Sequence, residues 1–232
     1  MQRSFHLIAR SEGDRFFLRG DSVTSPIDAF WLSRPSTEVA PALIGCTLVR
    51  QMPDGLVIRG LIVETEAYTS NDPAMHAYRG RTKRNQVMFG PAGRAYVYQI
   101  YGSYYCLNIV TDQDEVASAV LIRALMLESI PPWISSSDKL KLHRIAAGPG
   151  KLCRALMIDV TLNTTQLQPG QALWLEHRDS QFQQQLEQED LTLIQTIRIG
   201  LTKGVDLPWR WYLSNCPAVS KTVSSNRTLK LT

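Results

Sequence analysis

The sequence predicts an α+β chain built mainly on antiparallel strands. Two strand pairs flank turn chemistry: residues 46–51 and 56–66 around Pro53-Asp54-Gly55, and residues 95–101 and 104–111 around Gly102-Ser103. In both, β-branched, aliphatic or aromatic runs are punctuated by residues that supply a fixed or a positive φ. Helical signals are few, at residues 37–43 and 146–157. No internal repeat and no convincing linker divides the chain. Residues 26–232 are therefore expected to form one domain, with residues 1–25 as an N-terminal extension.

Taken in order, residues 1–25 mix charge and apolar character without a period, apart from a short strand signal at 15–20 (RFFLRG). At 37–43 Thr37 can cap, Glu38 sits in the first turn, Val39, Leu43 and Ile44 share a face, and Gly45 ends the helix. The strand at 46–51 and the long strand at 56–66 make an antiparallel hairpin. Strand alternation projects Glu64, Glu66 and Tyr68 to one face, with Val63, Thr65 and Ala67 on the other. Residues 69–73 are turn-like, and residues 79–84 form a basic loop. The Gly102-Ser103 pair suits a two-residue hairpin turn with Tyr101 at its rim. The strand at 117–127 carries Arg123 among apolar residues, and such an arginine calls for an inward carboxylate.

Beyond it, the Pro131-Pro132 pair and the serines at 135–137 read as an exposed loop. Gly148-Pro149-Gly150-Lys151 opens the second helix. It lacks the GxxxxGK[ST] spacing of a nucleotide phosphate loop, although a helix start can hold a single phosphate. Residues 173–176 and 194–201 read as strands and residues 181–190 as a glutamine-rich surface. Residues 209–213 (WRWYL) pack on the body or form an edge, and the polar tail after Lys221 is frayed.

Composition narrows the class. Net charge is +4, from 25 basic and 21 acidic residues, which permits a nucleic-acid partner without demanding one. The four cysteines lie far apart with no CxxC or CxxH pairing, which argues against zinc and for reduced core thiols. No charged leader with a long apolar run opens the chain, and no apolar stretch of ~20 residues occurs, so a soluble, unexported protein is expected.

Chemistry concentrates between Gly60 and Arg123. There lie Glu64 and Glu66, His76, the basic run, and five of the eight tyrosines between Tyr96 and Tyr105. Glu66 reads either as the partner of Arg123 or as a general base taking a proton from a water held between the two. His76 reads as a structural hydrogen-bonder or a ligand contact. A metal site from Glu64, Glu66, Asp72 and His76 has no HExxH spacing behind it. The tyrosines suit either β packing or a stacking platform for bases beside a basic loop.

These residues carry a resemblance. ETEAY, the downstream His76, RTKRNQVMFGPAGRAYVYQIYGSYYCLNIVT, VLIRAL and GPGKLCRAL, in that order from about Ser36 to Lys221, resemble the alkyladenine (3-methyladenine) DNA glycosylases of the mammalian type. The resemblance implies a single mixed domain around a curved antiparallel sheet, with a protruding β-hairpin that enters the minor groove. It implies a monofunctional enzyme, without cofactor, that hydrolyses the N-glycosidic bond of alkylated or deaminated purines in double-stranded DNA. It further implies a monomer working inside the cell, with no membrane.

Carried over by position, Glu66 is the water-activating base, Arg123 helps hold the water, and a backbone carbonyl at Ile199 also contacts it. Tyr68 and His76 stack on one face of a flipped base and Tyr98 on the other. Asn108 crowds the 2-amino group of a normal guanine, and Tyr101 is the wedge that fills the duplex. Arg84, Lys151 and the backbone of Gly200 contact phosphates. The chain departs from the pattern in a shorter segment between Tyr68 and His76, a shorter basic loop and Ser103 beside the wedge. These bear on loop geometry and lesion preference.

Overall fold

The computed structural model describes residues 24–100, 102–134, 142–222 and 229–230. Tyr101, the expected strand at 15–20 and the serines at 135–137 lie outside the described residues.

Two short helices open the described chain. α1 (Ala29–Leu32) starts at Asp28, whose carboxylate accepts the Trp31 N–H. α2 (Ser36–Ala42) starts after Pro35 rather than at Thr37, and Leu43 closes it. Gly45 then turns the chain at a φ of +86°, donating its N–H to the Ile62 carbonyl.

Strands follow at β1 (Thr47–Gln51), β2 (Val57–Tyr68), β3 (Ala95–Ile100), β4 (Tyr104–Val110) and β5 (Ala119–Leu127). After α3 (Pro149–Ala155) come β6 (Leu173–Glu176), α4 (Ser180–Glu187), β7 (Leu193–Thr196), β8 (Arg210–Leu213) and β9 (Leu229–Lys230). The described strands form one curled sheet, antiparallel throughout, in the order β3-β4-β5-β2-β8-β7-β9, with β1 pairing β2 and β6. The expected α+β class and curved antiparallel sheet are what is found.

Several elements differ from expectation for identifiable reasons. The last pair of the β3–β4 hairpin is Ile100↔Tyr104, so three residues span its tip, with Gly102 at a φ of +78°. The glutamine-rich stretch is a helix. Asp179 caps α4 through the Phe182 N–H, and Phe182 is its buried anchor. The strand expected at 194–201 stops at Thr196, because Arg198 turns inward to a buried carboxylate. β8 is no edge: it sits between β2 and β7. Leu229 and Lys230, in the tail expected to fray, pair with β7.

β2 is the organising strand. Along one edge it pairs β5 for its whole outer length; along the other it pairs first β1, then β8. Its sheet has two unlike faces around the site. Val63, Ala67, Val97, Leu107, Ile109, Val120 and Ile122 turn into the main core with α2 and α3. Thr65, on that face, satisfies its hydroxyl on the Ala40 carbonyl. The opposite face holds Glu64, Glu66, Tyr68, Arg123, Asn108, Tyr96 and Tyr98. Register fixes this: Arg210, Glu66, Leu121, Asn108 and Tyr96 form one row across β8, β2, β5, β4 and β3. The β2–β5 ladder is interrupted at Val63 and Arg123, where Glu64 pairs Ala124, and resumes in the original register at Thr65↔Ile122. A local break of this kind re-aims side chains without moving the strands.

Gly45 offers a test of how tightly α4 is set on this frame. A Cβ there would lie 2.2 Å from the Phe182 ring, on a backbone already at positive φ. Gly45→Ala is expected to cost about 2–3 kcal/mol, read as a lowered urea midpoint, and Gly55→Ala, with open space around it, clearly less.

Candidate active site

Glu66 is 0% exposed, and each oxygen of its carboxylate has a partner. Oε1 accepts the Ile199 backbone N–H at 2.8 Å and lies 3.1 Å from Arg123 Nη1. Oε2 accepts the Tyr68 hydroxyl at 2.9 Å. Burial, then the Glu66 charge, pushes the Tyr68 phenol well above its ordinary pKa, so it stays protonated and acts as the donor. For Arg123, burial works against the charged form, but Glu66 and then Glu64 outweigh it and hold the guanidinium more firmly charged. The arginine expected to need an inward carboxylate has two.

The second is Glu64, also 0% exposed. Its Oε1 accepts Arg123 Nε at 3.0 Å, Arg210 Nε at 2.7 Å and the Ser220 hydroxyl at 2.9 Å, and its Oε2 accepts the Ser220 N–H at 2.7 Å. Two carboxylates and two arginines thus form a charge-balanced buried group, with each acid touching more than one donor.

A second buried pair braces the loops around Glu66. Asp72 accepts both terminal nitrogens of Arg198, which also donates to the Ala67 and Gly204 carbonyls. The Arg198 guanidinium stands 4.6 Å over the Tyr68 ring and 5.3 Å over that of Trp209. One arginine therefore joins the loop leading to His76, the end of β2, and the loop carrying Ile199. Asp72 also accepts the Ala74 N–H. With Glu64 and Asp72 both taken by arginines, no three acids, cysteines or histidines among the described residues converge in a way that could hold a metal ion.

The aromatic side of the site is closely packed. His76 meets Tyr98 edge-on with ring centroids 4.5 Å apart, and its Nδ1 lies 2.9 Å from the Tyr96 hydroxyl. Tyr96 and Tyr98 are 5.2 Å apart. The resemblance implied His76 and Tyr98 on opposite faces of a base; here the two rings touch. Burial, then the Arg84 charge, lowers the His76 pKa, so the ring is neutral at pH 7. Asn108 is buried beneath, donating its amide to the Tyr96 carbonyl. Asn85 donates to the His76 and Gly80 carbonyls and shapes the basic loop.

Of the residues expected at the site, Glu66, Arg123, Ile199 and Tyr68 are in direct contact, and His76, Tyr98 and Asn108 adjoin them around Tyr96. Arg84 stands 5.5 Å over the Tyr98 ring. Lys151 is exposed near the start of α3, next to Gly150, where a Cβ would lie 2.8 Å from the Tyr104 ring near the hairpin tip. Gly200, at a φ of +75°, lines a cleft of about 200 Å³ with Pro73, Ala74 and Lys203. No hydrogen bond or ring contact among the described residues ties Lys151 or Gly200 to Glu66.

Sequence reasoning missed the roles of Arg198, Asp72, Arg210 and Tyr96. The signal that found Arg123, an arginine between apolar neighbours, is also present at Arg198 (TIRIG) and Arg210 (WRWYL). The four cysteines are buried and free, as core thiols should be.

Comparison with known proteins identifies the family. The family model described as methylpurine-DNA glycosylase matches residues 30–217. A relative from Trichodesmium erythraeum, 58% identical over 200 residues, covers 84% of this chain and 97% of its own length. Relatives from Synechococcus sp. (strain JA-3-3Ab) and Carboxydothermus hydrogenoformans are 55% and 47% identical, over 82% and 79% of this chain and 96% and 92% of their own. All three carry the provisional name 3-methyladenine DNA glycosylase. The chain belongs to the methylpurine-DNA glycosylase family, a family of DNA-repair enzymes. No helix among the described residues is long and apolar enough to cross a membrane.

Two measurements probe the site's construction. Arg198→Met strands the buried Asp72 carboxylate and is expected to cost about 3–5 kcal/mol in urea unfolding. Adding Asp72→Leu should recover much of that loss, giving a large coupling energy. For His76, the folded pKa lies below the unfolded value of about 6.5. Unfolded chains therefore bind the proton first, and stability falls as pH drops through about 6.5 towards the depressed folded value. His76→Gln is expected to remove part of the stability difference between pH 7 and pH 5.

Proposed function

We propose that this chain is a monofunctional DNA glycosylase that removes alkylated or deaminated purines from double-stranded DNA, through a water activated by Glu66. The domain proposed to do this spans residues 26–232, with residues 1–25 as an extension. The observation that carries the reading is the Glu66 carboxylate, fully buried yet held by Arg123, the Ile199 N–H and the Tyr68 hydroxyl beside a cluster of aromatic rings. The provisional name shared by the relatives favours 3-methyladenine among the substrates; 7-methylguanine, hypoxanthine and ethenoadenine complete the proposed class.

The chemistry follows from these groups. A base stacked in a duplex shields its sugar carbon, so it has to be turned out of the helix first. Tyr101 would fill the gap it leaves, and Arg84, Lys151 and the Gly200 backbone would grip phosphates, making affinity fall with salt. A purine between two rings needs about 7 Å, twice the stacking spacing. The 4.5 Å contact of His76 with Tyr98 therefore has to open for the base to enter. Tyr68 and His76 would then cover one face and Tyr98 the other, with Asn108 below to crowd the 2-amino group of guanine. A cationic alkylated purine gains about 0.5–2 kcal/mol against tyrosine faces.

Glu66 takes a proton from the water while the water oxygen bonds to C1′. The C1′–N bond breaks and its electron pair leaves with the base: a cationic purine becomes neutral, and a neutral one such as hypoxanthine leaves as its anion and takes up a proton from solvent. Arg123 and the Ile199 N–H keep the carboxylate aimed until it takes that proton.

The decisive experiment uses a duplex with one hypoxanthine, incubated with protein and then alkali. Strand cleavage marks excision; lesion binding without cleavage would replace the enzyme reading with a binding protein. Glu66→Gln is expected to bind the lesion duplex and to lose at least about 100-fold in excision rate. Normal excision by that variant would remove Glu66 from the role of base.

A further inference from the structure

We infer that Glu64, the other acid of ETEAY, is a positioning residue for the reaction, acting on Glu66 through Arg123. The inference rests on the glycosylase reading above. Its starting point is the way one guanidinium is divided. Arg123 gives Nε to Glu64 at 3.0 Å and Nη1 to Glu66 at 3.1 Å. A planar fork held at two of its corners has its plane fixed; held at Glu66 alone, it could swivel about that contact.

Glu64 is itself immobilised. Arg210 and the hydroxyl and N–H of Ser220 occupy its two oxygens from β8 and from the chain beyond it. Arg210 also donates to the Lys221 carbonyl, and Arg144 holds the carbonyls of Pro217, Val219 and Ser220. The anchor is therefore a braced piece of main chain rather than a loose side chain.

Charge makes the arrangement specific. The charged groups paired here are Glu64, Glu66, Arg123 and Arg210, two of each sign. Without the charge on Glu64, both arginines would bear on Glu66 alone. Arg123, released at Nε, could then turn its plane and change the angle at which Glu66 meets the water. Glutamine at 64 would also turn an amide N–H₂ towards donors that now meet oxygen. Glu64 is fully buried, so it meets neither solvent nor DNA directly, and its effect should fall on the chemical step alone.

The test compares the full-length parent with Glu64→Gln in single-turnover excision of a hypoxanthine-containing duplex at saturating protein. The expected result is a rate constant lowered by about tenfold or more, with the half-saturating protein concentration within about twofold of the parent. A purely structural role would raise the half-saturating total protein concentration, because fewer molecules are folded, and leave the rate constant within threefold; that result overturns the inference. If Glu64→Gln shows no cooperative melt, Glu64→Asp, which keeps the charge and loses the reach, is judged by the same two numbers. A parent that excises nothing sinks the glycosylase reading and this inference with it. A parent that excises at the same rate as a folded variant sinks only the role of Glu64.

Discussion

Two carboxylates buried in the middle of a sheet impose the strongest constraint on this molecule. Ionised acids removed from water cost several kcal/mol each unless cations and hydrogen bonds replace the lost solvation. Here that compensation comes from Arg123 on β5 and Arg210 on β8. Both strands must therefore flank β2, one on each side, as they do. The central position of β2, the break in the β2–β5 ladder beside Arg123, and the return of the chain at Ser220 all serve the same local requirement.

The opposite face of the same strands shows why the site can be built so rigidly. Val63, Ala67, Val120 and Ile122 pack into the main core, so the strand positions cannot drift. Alternation then delivers Glu64, Glu66 and Tyr68 to the far side at fixed spacing. The loops, which have no such core behind them, are held instead by the Arg198–Asp72 pair. The Ile199 N–H reaches Glu66 next to that clamp. Site precision here comes from one buried group of two acids and two arginines and one further buried ion pair, placed over one apolar layer.

The aromatic cluster is packed differently. Tyr96, Tyr98 and His76 touch one another through ring edges and a hydrogen bond, with a smaller apolar cluster of Met75, Val87 and Met88 beside them. Their contacts are weaker than ion pairs and more readily remade. Glu66 thus sits in the stiff part of the site, and the rings of His76 and Tyr98 sit in the soft part.

Much of this was legible in the amino-acid order because it depends on local rules. Period-two alternation put Glu64, Glu66 and Tyr68 on one face, turn residues marked both hairpins, and the apolar surroundings of Arg123 demanded a carboxylate. The family motifs, being contiguous, were readable as well. Other features depend on segments far apart in the chain, and no local signal encodes them. β8 is only four residues long, and nothing in it announces that it lies against β2. The Ile199 N–H is a backbone group with no side-chain signature, so only the folded loop could bring it 2.8 Å from Glu66. The sequence alone determined where the central strands and the charged residues lie and which way the side chains of β2 face. Tertiary structure alone decided which arginine meets which acid, because buried charges choose partners by distance across the sheet, and distance across the sheet is not written in chain order.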